Sequence, residues 1–124
     1  MYYKEIIKKG TFAMKKSIFF LLSIAIFTLT SSQAAIYKGQ RVFKKKCVEC
    51  HTDGPKFVAK YDKIYWNKVM SDKGTPLKNL HIKSDKAKKS HAYFSSKKYT
   101  KKAKHLKQFL IEYSKGSGNI PAWN

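Results

Sequence analysis

Cysteine stands at only two of the 124 positions, 47 and 50, and a histidine follows the second at once within residues 44–56, "KKKCVECHTDGPK". Two thiols separated by two residues and followed by an imidazole form the C-x-x-C-H pattern that attaches a c-type haem in exported chains. Each residue type has its own covalent task in that chemistry. The thiols form thioethers with the two vinyl groups on one porphyrin edge, and the imidazole passes under the ring to bind iron as the proximal ligand. Cys47, Cys50 and His51 are therefore the candidate attachment residues for one haem c. Two rival chemistries use the same side chains. A thioredoxin-like dithiol, as opposed to a plain Cys47–Cys50 disulfide, needs a strand before the motif and a parallel sheet, and no strand alternation appears. A zinc site needs further cysteines or closely spaced histidines, whereas His81, His91 and His105 are scattered.

The elements that must position these residues read as helices. The segment leading into the motif, "YKGQRVFKKKCVECH", carries Val42 and Phe43 among lysines, with Gly39 one turn before Phe43. Near the other end, "SSKKYTKKAKHLKQFLIEYSKGSGN" is amphipathic: Tyr99, Ala103, Leu106, Leu110 and Tyr113 share one stripe with Phe109 beside it. Lysines 101, 102, 104 and 107 fall mostly away from that stripe, and Gly116 or Gly118 supplies a stop. Two such helices in a small domain are expected to pack on each other, with Gly39 permitting close approach. Between them, "KYDKIYWNKVMSDKG" is a third helical stretch in which Trp66, Tyr61, Ile64, Tyr65 and Val69 form a broad apolar arc. Core packing is the expected role of Trp66; an indole N–H beside a haem propionate is the functional alternative. The tail "GSGNIPAWN" places Trp123 either back on the core or at a contact surface.

The N-terminal part reads as an address. From Met14, "MKKSIFFLLSIAIFTLTSSQAA" runs from two lysines through an apolar stretch to small residues, the order of a secretory signal peptide. Ser32 and Ala34 suit cleavage between Ala34 and Ala35, and the apolar stretch is short for a mature spanning helix. A retained anchor is the alternative. Residues 1–13 fit no targeting pattern and are expected to be a mis-annotated upstream extension ahead of a true start at Met14. Residues 14–34 are then the signal peptide, and 35–124 form one domain, exported to the periplasm.

Five of the 27 basic residues and one of the seven acidic ones precede Ala35, leaving the domain at a net charge of +16. Such a charge attracts acidic proteins, anionic membranes and nucleic acid alike. Export removes nucleic acid from the list, and the bases are lysines except for Arg41, which suits transient docking better than bidentate base reading. A domain this small buries a thin core and commonly needs a staple such as a cofactor.

"GQRVFKKKCVECH" resembles the N-terminal helix and haem site of class I monohaem cytochromes c, where a glycine and an aromatic precede the first cysteine at this spacing. Gly39, Phe43, Cys47, Cys50 and His51 match position by position. The stretch ending "FLIEY" resembles the family's last helix, with Leu106, Phe109, Leu110 and Tyr113 packing across the first. The resemblance implies an all-α, small cytochrome c-like helical fold around one covalently attached haem. It also implies a sixth iron ligand, commonly a methionine just ahead of the last helix. Here the chain departs from the family: Met70, the only methionine after the leader, lies well before that point, and Gly54-Pro55 follows His51 sooner than usual. His81 is the leading candidate, in a Gly/Pro-started loop with Leu77, Leu80 and Ile82 to bury it. Met70, His91 or no strong protein ligand are the alternatives. Histidine would give a low-potential iron, methionine a higher potential, and an open site would admit small ligands.

The function implied is a periplasmic carrier of single electrons, monomeric and not an enzyme. Its expected partners are acidic redox proteins, a membrane-bound donor and a reductase or oxidase acceptor, with an anionic membrane surface as a further possibility. Lys44, Lys45, Lys46 and Lys56 flank the motif and are the candidate docking cations. The alternative is a five-coordinate haem protein acting as ligand sensor or peroxidase-like enzyme.

Overall fold

The computed structural model describes residues 32–123, of which 34–123 belong to one compact unit. The expected signal peptide, apart from its last three residues, and the upstream extension lie outside the described residues. Among those described the architecture is all-α, with no strand and only one isolated bridge, between Asp62 and Lys115.

Residues 32–46 are helical and form α1. It is followed by α2 (Pro55–Val58), α3 (Lys63–Val69), α4 (Ser71–Ile82), a 3₁₀ turn (Asp85–Ser90), α5 (His91–Phe94) and α6 (Lys97–Glu112). The starts have local causes. Asp62 caps α3 by accepting the Tyr65 N–H at 2.8 Å, and Ser96 caps α6 through Tyr99 N–H. Proline opens α2, where its missing N–H costs nothing. No described helix is long and apolar enough to cross a membrane.

The apolar stripe of α6 is its buried face: Tyr99, Ala103, Leu106, Phe109 and Leu110 are each at most 2 % exposed. α1 crosses this face at Gly39, where an added Cβ would lie 2.0 Å from the His105 carbonyl oxygen. Below the crossing, Phe43 packs on Phe109 with ring centroids 5.4 Å apart. The expectation that the two terminal helices pack together through a glycine is met. Trp66 is buried and donates its indole N–H to Val58 O at 3.0 Å, so α3 is tied to α2 and the indole serves the core. Trp123 folds back: its ring meets Phe43 and lies against Gly54.

The middle differs from the expected loop. Residues 75–82 continue as the regular part of α4, so His81 sits in a last helical turn. Before them, Asp72, Lys73 and Gly74 adopt left-handed backbone conformations in succession (φ 43°, 53° and 79°). Two non-glycine residues at positive φ are unusual. The turn is held from outside, because the buried Tyr99 hydroxyl donates to Gly74 O at 2.7 Å, and from within by Thr75 Oγ1 donating to Asp72 O. Pro76 then falls in the first turn of the regular segment, where proline is tolerated.

Candidate functional site

α1 ends immediately before Cys47, and tight backbone bonds shape the segment after it. His51 N–H donates to Cys47 O at 2.8 Å, Cys50 N–H to Cys47 O at 3.1 Å, and Gly54 N–H to His51 O at 3.0 Å. Gly54 takes positive φ (56°) to turn the chain into α2. The motif is thus wound into consecutive turns that leave Cys47, Cys50 and His51 on the wall of one cavity of about 460 Å³.

The same cavity receives His81 from α4. The His51 and His81 ring centroids are 6.2 Å apart with planes at 82°. With a metal–imidazole bond of about 2 Å on each side, two rings sharing one metal ion have centroids roughly 6 Å apart. Each ring is backed by an aromatic. Phe57 of α2 stacks on His51 at 3.8 Å, and Phe94 of α5 stacks on His81 at 4.1 Å. His81 Nδ1 donates to Leu77 O at 2.8 Å, because a carbonyl can only accept, and this bond leaves Nε2 as the ring nitrogen not engaged by it. Leu77 and Leu80 of α4, Phe43, Trp66, and Leu106 and Leu110 of α6 give the remaining walls their apolar character. Cys50 and Leu80 are exposed, so the cavity opens to solvent on their side.

Electrostatics favour the form His51 needs as a ligand. Burial, then the nearby His81 and Lys60, lower the His51 pKa and keep its imidazole neutral. Burial, then Cys50, push the Cys47 thiol up to about 12. A thiol held protonated is a poor redox nucleophile, which disfavours thioredoxin-like exchange. Nor do the side chains converge as a zinc site would require: among the described residues no group of three or more His, Cys, Asp or Glu could hold a metal ion.

The other candidates lie elsewhere. Met70 is 2 % exposed within the core, its Cε near Gly74, and it does not line the cavity. His91 Nε2 is 3.0 Å from Ser84 O, and His105 sits behind the helix crossing; neither lines the cavity. Ile82, expected beside His81, packs on the core. Pro55 O accepts from Ala59 N–H. Lys44, Lys45, Lys46 and Lys56 are all exposed, and of these Lys46 lines the cavity, together with Lys86. The sequence reading missed Lys86 and both stacking phenylalanines. The spacing of Phe57 from His51 hints at contact across the turn, but nothing local marks Phe94.

No protein-family model, curated protein or solved structure matches this chain.

Proposed function

We propose that this chain is an exported monohaem c-type electron carrier with a cytochrome c-like helical fold. The haem would be held through Cys47 and Cys50, with His51 as proximal and His81 as distal iron ligand. The observation that carries this reading is the facing pair of imidazoles, 6.2 Å apart, in an apolar cavity whose wall also bears both thiols. The fit is chemical as well as spatial: two imidazoles and two thiols, the donor types the motif chemistry calls for, line one cavity. A haem in this cavity supplies a one-electron couple.

What the chain's own residues contribute can be stated directly. Leu77 O and Phe94 fix the His81 ring, and Phe57 fixes the His51 ring, so both imidazoles would be pre-oriented for a metal they ligated. The leucines and Trp66 give the cavity apolar walls, while its side at Cys50 and Leu80 is open to solvent. No arrangement of carboxylates or activated nucleophile beside the cavity calls for group-transfer catalysis. The exposed lysines around the motif would draw acidic redox partners to the open side of the cavity, where Cys50 is exposed.

The test is the ultraviolet-visible spectrum of the protein exported in a host that attaches haem c. The expected result is covalently retained, low-spin haem in both redox states, unchanged by CO and without the weak 695 nm band of thioether ligation. A high-spin ferrous form that binds CO would replace the carrier with a ligand-binding haem protein. Failure to retain any haem would remove the proposal.

A further inference from the structure

A second concavity of about 410 Å³ lies between α1 and α6. From α1 it is lined by Lys38, Arg41, Lys45 and Lys46, with Val42 among them. These positions recur at three- and four-residue intervals and so share one helical face. From α6 come Lys98, Lys101 and Lys102, again one face. Tyr93 completes the lining, and Lys46 Nζ stands 5.4 Å from its ring centroid. No acidic side chain lines this groove, and the ion pairs among the described residues, Lys60–Asp53 and Lys89–Glu49, lie elsewhere.

Seven cations facing one another across a groove repel, and the fold gains nothing evident from gathering them. A bound anion would relieve that repulsion. We infer that the α1–α6 groove is a docking site for an acidic peptide segment of a partner protein. Three features choose this occupant. The site is concave and bounded by two helices, whereas a membrane presents a broad face. Six of the seven cations are lysines, point charges suited to carboxylates at varied angles, where a phosphate-reading site would favour the arginine fork. Its length also fits: Lys38 to Lys46 spans about 12 Å of helix, enough for three or four extended residues. Lys46 lines the groove and the cavity alike, so a segment seated here would bring its parent protein to the cavity mouth. The inference holds whether or not a haem occupies that cavity.

The test titrates the exported protein with poly-L-glutamate at low ionic strength by calorimetry. Two triple variants of equal net charge are compared: Lys98→Glu/Lys101→Glu/Lys102→Glu in the groove, and Lys63→Glu/Lys68→Glu/Lys115→Glu on exposed positions outside it. The groove variant is expected to bind about tenfold or more weakly, and the control to change by about threefold or less. Equal weakening would overturn the inference, because net charge alone would then explain binding. Should the charge-reversed chain fail to fold, Lys98→Gln/Lys101→Gln/Lys102→Gln is compared with Lys63→Gln/Lys68→Gln/Lys115→Gln under the same criterion. Binding to phosphatidylglycerol vesicles, lost in the groove variant while poly-L-glutamate is not bound at all, would overturn it in favour of a membrane surface.

Discussion

Gly39→Ala is the sharpest test of the helix crossing on which the site depends. On helix propensity alone the change should stabilise α1, by about 1 kcal/mol. The structure predicts the opposite sign. An alanine Cβ would lie 2.0 Å from His105 O, 2.7 Å from His105 C and 2.7 Å from Phe109 Cβ, where ordinary contact begins at 3.4 Å. Two of these atoms are backbone and cannot rotate aside, so α1 must move off α6 by more than an ångström. That displacement would loosen the Phe43–Phe109 contact at 5.4 Å and shift Cys47, which comes at the end of the same helix. Overpacking of this kind costs about 1–3 kcal/mol, and a backbone clash belongs at the upper end. Subtracting the propensity gain leaves a net loss of about 2 kcal/mol. For a domain of this size the loss lowers Tm by roughly 8–16 °C. Thermal unfolding of the purified protein followed by far-ultraviolet circular dichroism measures it. An unchanged or raised Tm would refute the close crossing, and with it the placement of the motif relative to α6.

Further outcomes rest on the same geometry. His81→Ala should convert the ferrous spectrum from low-spin to high-spin and allow CO to bind. Met70→Ala should leave axial ligation intact while costing about 2–5 kcal/mol, as expected for a buried core side chain; the reverse pattern would make Met70 the ligand. Tyr99→Phe removes the donor to Gly74 O and should lower stability by about 1–2 kcal/mol in denaturant unfolding. A loss under about 0.5 kcal/mol would mean that the left-handed turn at 72–74 holds itself. Reduction by an anionic iron complex should slow steeply as salt rises from about 10 mM to about 200 mM, whereas a neutral reductant should be indifferent. Parallel salt curves would show that the lysines do not steer encounter.

How much of the fold and the site is legible in the sequence depends on the range of the interaction involved. The C-x-x-C-H pattern lies within five consecutive residues, so Cys47, Cys50 and His51 can be singled out without a fold. The α6 stripe and the role of Gly39 are likewise readable, because helical periodicity and the absence of a side chain are local properties whose consequence, burial against another helix, is generic. The stop is not so readable: α6 ends at Glu112, before either glycine expected to end it.

Tertiary structure alone decided which of three histidines and one methionine meets His51 across the cavity. Composition favoured His81 only as the member of an apolar neighbourhood, and mistook its helix for a loop because Gly74-Thr75-Pro76 reads equally as a turn or as a helix entry. The choice rests on three successive left-handed residues, two of them non-glycine, held by a tyrosine 25 positions away. No local preference encodes that conformation; a long-range hydrogen bond and core packing impose it. The same holds for the basic groove. Its lysines read in sequence as solvated helix faces, and they become one site only because the crossing at Gly39 sets α1 beside α6. Covalent spacing and periodicity are written in neighbouring residues, whereas convergence of distant side chains is a property of the packed whole.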